Sequence, residues 1–388
     1  MKNSQSIGPE NVTVSRLTAD ERIRVVRVIS GLWPGGVEKK LLAVLPRLDK
    51  TRFAVSVVCL RETGELADEL RDQGIPVALC HVRNRWSPSG IVQLRSHFRA
   101  QGADIVHTHM YRSNITGAVA ARLAGTPVVI ANIHNVASWD DVRQVYTDRW
   151  VSRLRDCTIF VSQAVADDYL SRIPIPENAR AIIYNGVDTH WFSPDSSVSR
   201  FTDGEVAVGA AARLVPQKAL DFVVRAAADP QFQKMKVHFY VAGDGPLRES
   251  MMAQAQAMGA ASNFHLLGFQ DDIREFYRRL DVFVMPSRKE GFSNALLEAM
   301  ACGVSSVATR VGGNGEAIRD GRDGRLIEPG DYAAFRAALL DLVRNPDNRR
   351  RMSEEARQRA EMFSIEGMVH QTESLYLTLV KKKVKYSV

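Results

Sequence analysis

Two glutamates, Glu290 and Glu298, stand with seven residues between them in the segment EGFSNALLE. Glu290 belongs to a predicted loop, and Glu298 lies about one turn inside a predicted helix that Ser293 or Asn294 can cap. The free amides at the start of such a helix bind anions such as phosphate. Carboxylates would repel a phosphate, so the glutamates are better suited to accepting hydrogen bonds from sugar hydroxyls. A solvated loop acid and a dipole-favoured helix acid are the alternative interpretation.

A pair of basic residues supplies the opposite charge. Arg213 follows a predicted strand, and Lys218 lies five residues further on, at a turn that Pro216 opens. Arginine can bind phosphate oxygens through two N–H groups, and lysine acts as a point charge. With no acidic residue between them, the two cations are suited to binding a diphosphate. Two ordinary surface cations are the alternative.

Two histidines alternate in the strand-like segment DIVHTH, so their side chains share a face. His107 lies within the apolar run, and we expect it to be a packed core residue. His109 ends the strand, and we expect it to emerge at the carboxyl end and to be the functional one. No third ligand has suitable spacing, so the pair does not predict a zinc site.

Several glycines follow predicted strands. Gly35 and Gly36 can bring a backbone close to a ligand just before a helix expected to begin at Val37, but a simple tight turn explains them equally well. Gly243 and Gly268 also follow strands, in turns that need no further function. The GxGxxG fingerprint is absent after the first strand, which argues against an NAD enzyme.

These residues must be positioned by alternating strands and helices, which predict parallel, doubly wound sheets. The sequence around 185–200 is rich in Ser, Asp and Pro and predicts a linker, after which the alternation of strands and helices restarts. Gly303 is expected to stop the helix that contains Glu298. The predicted strands are IRVVRVIS, FAVSVVCL, PVALCHV, DIVHTH, PVVIANIH, TIFVS and AIIYN before the linker, and VAVGAAAR, KVHFYVAG, NFHLLG, DVFVMPS, SSVAT and GRLIE after it.

Length and composition are those of a globular protein. The 388 residues suffice for two domains, and 45% hydrophobic with 24% charged residues is ordinary for a soluble chain. No apolar run of about 18 residues predicts a membrane span. The first 20 residues are polar and lack the apolar centre of a signal peptide, so we expect a cytoplasmic protein. The four scattered cysteines predict buried, reduced thiols: Cys59, Cys80, Cys157 and Cys302.

The formal net charge of +7 predicts an anionic partner, either nucleotide sugars or an anionic lipid surface. No acidic residue stands between Asp72 and Asp104, and a solvated basic face is the alternative to membrane contact. Nucleic-acid binding is not predicted, because no recognition motif accompanies the charge. The basic residues concerned are Arg83, Arg85, Arg95 and Arg99, with Trp86 among them, and the tail lysines Lys381, Lys382, Lys383 and Lys385.

Several of these motifs resemble one family. The segment EGFSNALLEAMACG is similar to the paired-glutamate motif of the retaining GT-B glycosyltransferases of family 4. The basic pair matches the family pattern GRLxxxKG, although Ala212 and Ala219 stand where glycine is common. His109 matches the second histidine of the family's HxH pattern. The resemblance extends from about Val25 to Tyr376 and implies an α/β GT-B fold, with two doubly wound Rossmann-like domains facing a cleft.

The resemblance also implies a domain division and residue roles. We expect a disordered lead-in over 1–20, an acceptor-side domain over 21–193 and a domain for the sugar donor over 194–364. A helix crossing back to the first domain and a basic tail would occupy 365–388. The residues implied in catalysis are His109, Glu290, Arg213 and Lys218; those implied in binding the sugar donor are Gly36, Arg213, Lys218, Gly243, Gly268, Phe269, Glu290, Gly291, Phe292, Ser293, Asn294 and Glu298; those on the acceptor side are Gly35 and His134.

The implied function is retaining transfer of a hexose-type sugar from a nucleoside-diphosphate sugar, UDP- favoured over GDP-, to a hydroxyl acceptor. The acceptor would be a glycan, and a lipid-linked one in polysaccharide or lipopolysaccharide biosynthesis fits best. No metal or other cofactor is expected, and the protein could lie peripherally at the inner face of the plasma membrane. Two rival functions are a nucleotide-sugar epimerase or hydrolase on the same fold and a non-catalytic nucleotide-sugar-binding subunit.

Overall fold

The computed structural model describes residues 22–84, 87–136, 141–195, 197–199, 201 and 204–385, whose strands form two parallel sheets. The predicted lead-in, together with Arg85 and Trp86, lies outside the described residues. In the N-terminal half of the chain the strands are β1 (Ile23–Ile29), β2 (Phe53–Cys59), β3 (Val77–Leu79), β4 (Ile105–His109), β5 (Val128–Ile133), β6 (Cys157–Phe160) and β7 (Arg180–Ile182). In the C-terminal half they are β8 (Val206–Ala211), β9 (Val237–Ala242), β10 (Phe264–Gly268), β11 (Val282–Met285), β12 (Ser305–Thr309) and β13 (Arg325–Ile327).

Both sheets are doubly wound around their first strand. Their orders are β3-β2-β1-β4-β5-β6-β7 and β10-β9-β8-β11-β12-β13, so the direction of winding reverses between β1 and β4 and again between β8 and β11. Open α/β sheets bind ligands at the carboxyl ends of the strands beside such a reversal. The predicted α/β class and both doubly wound sheets are confirmed. Every predicted strand segment overlaps one of the observed strands, and those for β6 and β7 begin one residue late.

The helices cover the faces of the sheets. Strands such as β5 are buried along their whole length, which explains why they read as apolar runs. The helices before the second sheet are α1 (Gly36–Val44), α2 (Leu66–Asp72), α3 (Pro88–Ala100), α4 (Met110–Ala124), α5 (Val142–Val151) and α6 (Gln163–Leu170). Those after it begins are α7 (Asp221–Ala227), α8 (Pro230–Lys234), α9 (Arg248–Ala257), α10 (Ile273–Arg278), α11 (Asn294–Ala301), α12 (Asn314–Ala317), α13 (Tyr332–Arg344), α14 (Pro346–Glu361) and α15 (Ile365–Lys385).

The helix that carries Glu298 begins and ends as its sequence predicts. Ser293 is the N-cap of α11, and its hydroxyl accepts a hydrogen bond from the amide of Leu296 at 3.3 Å. Gly303 follows the helix with φ = 71°, a left-handed conformation that glycine adopts without steric cost. The predicted cap and stop are therefore confirmed, and they fix where the first amides of α11 lie.

The last helix packs on the first sheet. Ile365 and Val369 of α15 join the apolar cluster between α1 and β2, and Tyr376 joins the cluster beneath β1 and β5. The hydroxyl of Tyr376 lies 2.8 Å from Nδ1 of His107, at the centre of that sheet. Helix α15 therefore links the end of the chain to the core of its N-terminal half.

The two halves also contact each other through one carboxylate. Glu316 of the C-terminal half accepts hydrogen bonds from the amides of Gln163 and Ala164 at 2.8 and 2.9 Å. These amides open α6 in the N-terminal half, where a negative charge complements the helix dipole. The hydroxyl of Tyr184 donates to the same carboxylate at 2.8 Å. Next to it, the amide of Val187 donates to the carbonyl of Phe363, and the amide of Ile365 donates to the carbonyl of Val187. These two hydrogen bonds fix the start of the predicted linker.

Other predictions concern the surface and the thiols. The four cysteines are free and buried, as expected. Arg95 and Arg99 of the basic segment donate to the carbonyls of Leu123 and Ala124 at the end of α4, at 3.1 and 3.3 Å. None of the helices in the described ranges combines the length and apolar composition that crossing a bilayer requires.

Candidate active site

The loop after β11 holds Glu290 in an ion pair. Only 7% of the Glu290 surface is exposed, and its Oε1 lies 2.6 Å from Nζ of Lys218, which follows β8. The solvated loop acid of the alternative interpretation is therefore wrong. Lys218 and Glu290 come together because the fold brings β8 and β11 side by side.

The second glutamate faces the N-terminal half. Oε2 of Glu298 accepts a hydrogen bond from the Tyr277 hydroxyl at 2.9 Å. Burial raises the pKa of Glu298, and the charge of Lys40 opposes that shift. Burial likewise lowers the pKa of Lys40 to about 8, against the favourable charge of Glu298. These two groups, from α11 and α1, therefore belong to one electrostatic environment between the halves.

Helix α1 forms the opposite wall of this cleft. It begins at Gly36, one residue before the predicted start, and Gly35 is its N-cap. The carbonyl of Gly36 accepts a hydrogen bond from Nδ2 of Asn294 at 3.0 Å, so the starts of α1 and α11 touch. Burial raises the pKa of Glu38, whereas the nearby charge of Arg213 lowers it. The exposed Arg213 therefore lies near the α1 side of the cleft.

The predicted turns after the strands of the second sheet pack against one another. Gly243 has φ = 128°, and an added Cβ there would lie 2.0 Å from the carbonyl oxygen of Ala212. Its amide donates to the carbonyl of Gly268 at 2.7 Å. Next in the chain, the ring of Phe269 is 57% exposed and lies 5.2 Å from Nζ of Lys39 on α1. These turns therefore pack together at the carboxyl ends of β8, β9 and β10, with one exposed aromatic ring beside α1.

The side chain of Phe292 packs between the two halves. Its ring is buried between Tyr184 and Phe363, with both ring centroids 5.1 Å away. Its carbonyl accepts a hydrogen bond from Nδ2 of Asn185 at 2.9 Å. The side chain of Phe292 therefore anchors the loop to the other half and does not face the cleft.

Gly291 allows the two halves to approach each other closely. A Cβ built on Gly291 would lie 2.0 Å from the carbonyl oxygen of His134, which follows β5. The same glycine's carbonyl accepts hydrogen bonds from the Ser162 hydroxyl at 3.1 Å and from the Gly313 amide at 2.6 Å. Only a residue without a side chain fits this contact, which positions Glu290 against the first sheet.

The histidines form one buried stack. The rings of His107 and His109 lie 4.6 Å apart, and those of His109 and His134 lie 5.3 Å apart. The expectation that His107 is a core residue is confirmed. His109 ends β4 as predicted, but only 2% of it is exposed, so it does not emerge into solvent. The reason is that the ring is enclosed by its two neighbours and by Arg27 of β1.

Arg27 determines the protonation of this stack. Its Nη1 lies 3.0 Å from Nε2 of His109, and because arginine only donates, that nitrogen must accept. Nδ1 of His109 therefore carries the proton and donates to Nε2 of His134 at 3.1 Å. Burial, with the charge of Arg27, lowers the pKa of His134 to about 4 and those of His107 and His109 well below their usual range. The stack is neutral at physiological pH.

Sequence reasoning missed Arg27, Lys40 and Tyr376. Arg27 offered a signal, because it is a charge in the middle of an otherwise apolar strand, IRVVRVI. Lys40 and Tyr376 lie on ordinary amphipathic helices, and nothing local distinguishes them. Among the described residues, no three histidine, cysteine, aspartate or glutamate side chains are arranged to hold a metal ion.

Comparison with known proteins agrees with this architecture. A family model described as "Glycosyltransferase Family 4" matches residues 34–191, and one described as "Glycosyl transferases group 1" matches residues 205–345. The UDP-Gal:alpha-D-GlcNAc-diphosphoundecaprenol alpha-1,3-galactosyltransferase of Escherichia coli is 27% identical over 380 residues, covering 90% of this chain and 95% of that enzyme. The D-inositol 3-phosphate glycosyltransferase of Streptomyces scabiei is 28% identical, covering 82% and 76%.

Among solved structures, Anabaena HepE in complex with UDP and glucose superposes with a TM-score of 0.82 at 20% identity, covering 92% of this chain and 100% of that one. Two doubly wound sheets, together with this structural similarity, define the GT-B class of glycosyltransferases. The chain belongs to the family 4 glycosyltransferases, whose two family models together match more than half of it. The predicted family and enzyme class are confirmed.

We predict that Gly291→Ala lowers kcat/KM by roughly tenfold to a hundredfold, because the added methyl displaces the loop that holds Glu290. Steady-state transfer assays on the purified variant measure the effect. The matched control is Gly315→Ala, where the nearest heavy atom to the added Cβ is 3.8 Å away. Equal activity of both variants would show that the contact at Gly291 does not position the site.

Proposed function

We propose that this glycosyltransferase transfers a sugar from a nucleoside diphosphate to a hydroxyl acceptor with retention of anomeric configuration. The observation that carries the proposal is the convergence of Lys218, Glu290 and the start of α11 at the carboxyl ends of β8 and β11. A sugar donor needs both a site for its diphosphate and acceptors for its hydroxyls, and this convergence offers both. The structural neighbour bound to UDP and glucose supports a UDP-sugar.

The diphosphate leaving group needs stabilisation as negative charge builds on it. Arg213, Lys218 and the first amides of α11 would supply it electrostatically, without a metal ion. Ser293 directs its own oxygen to the amide of Leu296, so it leaves the earlier amides of the turn to the ligand. Each such group commonly contributes roughly a few kcal/mol to transition-state stabilisation.

The ion pair between Lys218 and Glu290 belongs to the site before the sugar donor binds. When the diphosphate binds, its oxygens compete with Glu290 for Lys218, and the freed carboxylate accepts hydrogen bonds from the transferred sugar. Glu298 would accept hydrogen bonds from the ribose hydroxyls. Its burial, which raises its pKa, makes these hydrogen bonds stronger than those of a solvent-exposed carboxylate. We favour front-face displacement, in which the departing phosphate helps to deprotonate the acceptor.

His109 takes a positioning role in this proposal. Its Nε2 accepts from Arg27 and its Nδ1 proton is donated to His134, so neither ring nitrogen is available as a base. The neutral histidine stack, in which the carbonyl of His134 contacts Gly291, instead shapes the acceptor side of the cleft. Gly35, the N-cap of α1, completes that side.

For the acceptor, we propose a lipid-linked glycan in surface polysaccharide or lipopolysaccharide assembly. The support is the E. coli relative, whose name gives a diphosphoundecaprenol-linked acceptor. Such an acceptor requires access to a cytoplasmic membrane surface. Helix α5 offers a suitable face, because its Val142, Tyr146 and Trp150 recur every four residues and are 67%, 62% and 69% exposed.

The charges beside this face suit an anionic bilayer. Arg143 and Arg149 are exposed on the same helix, and the guanidinium of Arg153 lies 4.5 Å from the centre of the Trp150 ring. Tyrosine and tryptophan flanked by arginine favour the membrane interface, because the apolar part of each ring contacts lipid while its polar end contacts water. We therefore propose that α5 contacts the lipid surface.

The proposed reaction is tested by incubating the purified enzyme with UDP-, GDP- and ADP-sugars, with and without a lipid-linked acceptor. Transfer that depends on the acceptor, with the anomeric proton signals of a retained linkage, supports the proposal. Turnover of the sugar donor without acceptor would indicate the epimerase or hydrolase, and binding without turnover would indicate a non-catalytic subunit. An inverted product would exclude retention. Activity that is lost in EDTA and restored by a divalent cation would contradict metal independence.

We predict that Arg213→Ala and Lys218→Ala each lower kcat by about tenfold or more, since each removes one charge that stabilises the leaving diphosphate. Steady-state kinetics and a thermal unfolding curve measure activity and folding separately. Lys234→Ala, an exposed lysine on α8, is the matched control and should change neither. Normal turnover in both cleft variants would exclude the proposed diphosphate site.

We predict that Trp150→Ser lowers partitioning onto phosphatidylglycerol vesicles by about tenfold, because the ring loses its burial in the interface. Co-sedimentation at low and high salt measures it, with phosphatidylcholine vesicles as the neutral reference. Trp191→Ser is the matched control, since Trp191 is also exposed and also lies under an arginine, Arg274, at 3.5 Å. An equal loss in both variants, or no binding of the unmodified protein, contradicts the proposed surface.

A further inference from the structure

A small pocket opens at the carboxyl end of the first sheet, between α1 and α15. Two of its lining residues, Arg27 and Lys40, are cationic, and the histidine stack forms another wall. None of the described residues that line it is acidic. The pocket therefore concentrates positive charge where the protein supplies no counter-charge.

Arg27 is the unusual member of this pocket. It is only 3% exposed, and within the described part of the chain its guanidinium forms no ion pair. Nη1 bonds to a neutral histidine, the ring of Tyr376 lies 5.6 Å from the guanidinium carbon, and Nε has no hydrogen-bond partner. An uncompensated buried charge costs several kcal/mol. Buried arginines elsewhere in this fold avoid that cost, as Arg155 does by pairing with Asp148.

Lys40 adds a second cation from the opposite wall. Its ammonium donates to the carbonyl of Gly186, at the start of the linker. The carboxylate that acts on it electrostatically, Glu298, belongs to the C-terminal half, and no ion pair joins the two in the described structure. Two cations that face one pocket without a carboxylate between them are arranged for an anion that comes from outside.

The pocket adjoins the reaction centre. His134 lines it, and the carbonyl of His134 is the atom that Gly291 approaches. Asn185 lines it too and donates to the carbonyl of Phe292. An anion held here would therefore lie beside the loop that carries Glu290, but on the N-terminal side of the cleft, away from Arg213 and Lys218.

We propose that this pocket is an anion subsite in which Arg27 and Lys40 bind a phosphate or carboxylate group carried by the acceptor. The proposal rests on the proposed transfer reaction and adds the chemical class of acceptor that the enzyme selects. Arginine binds either oxyanion through paired N–H groups, and lysine adds a point charge. Binding would supply the counter-charge that Arg27 lacks and would place the acceptor against the sugar.

The first test measures anion binding without any sugar donor. Thermal unfolding is followed with increasing inorganic phosphate, against chloride at equal ionic strength, in an Arg213→Ala/Lys218→Ala background that removes the proposed diphosphate site. Phosphate should raise Tm in this background, because a ligand that binds only the folded state stabilises it. Adding Arg27→Met should abolish the shift, and without phosphate this variant should unfold at the same or a higher temperature, since a buried unpaired charge is gone.

Two further variants keep the test decisive. Arg24→Met removes an arginine from the same strand, one that pairs with Asp104 at 3.1 Å, and should preserve the phosphate shift. Lys40→Met should reduce the shift even if the Arg27 variant does not fold. A shift that survives both Arg27→Met and Lys40→Met, or no shift at all, would overturn the subsite.

The second test identifies the source of the anion. Acceptors that differ only in a phosphate, a carboxylate or a neutral group are compared with the unmodified enzyme and with Lys40→Met. The unmodified enzyme should prefer one anionic acceptor by about tenfold or more in kcat/KM, and the preference should disappear in the variant. Equal use of all three acceptors overturns the proposal, and it does so even if free phosphate shifts Tm. Absence of transfer to any acceptor refutes the proposed reaction instead, because the binding test does not depend on it.

Discussion

The two halves of the molecule meet backbone to backbone at Gly291, and the site depends on that contact. The carbonyl of His134 occupies the space that a side chain would need, so no other residue permits the same approach. On one side of this point the loop holds Glu290 against Lys218, and on the other side β5 leads into the histidine stack. Groups that belong to different sheets therefore become neighbours.

The sequence predicts the elements well and their partners poorly. Alternating apolar runs and turn residues identified every strand, and Ser293 and Gly303 marked both ends of α11, because these signals act within a few residues. The Lys218–Glu290 pair joins residues 72 apart, and Arg27 and His109 are 82 apart. Such pairs arise from strand order, which local patterns do not encode.

The alternative interpretation of Glu290 and the expectation for His109 fail for the same physical reason. The alternative places Glu290 in a solvated loop, and His109 is expected to emerge at the carboxyl end of its strand. In the structure each is buried, at 7% and 2% exposure, because the opposite half or a neighbouring strand covers it and supplies a hydrogen-bonding partner. Burying a polar group is favourable only with such a partner. The charge of Arg27 within an apolar strand was the one visible sign that this region departs from an ordinary core.

Glu316 joins the halves at a second place, and this has a consequence for how the cleft can open. Its carboxylate holds two amides of α6 and the Tyr184 hydroxyl, all from the other half. Pulling the halves apart there would leave three hydrogen-bond donors without their acceptor, whereas a rotation about that point would keep the hydrogen bonds. A rotation of one half about this carboxylate would therefore break fewer of these hydrogen bonds than a separation of the halves there.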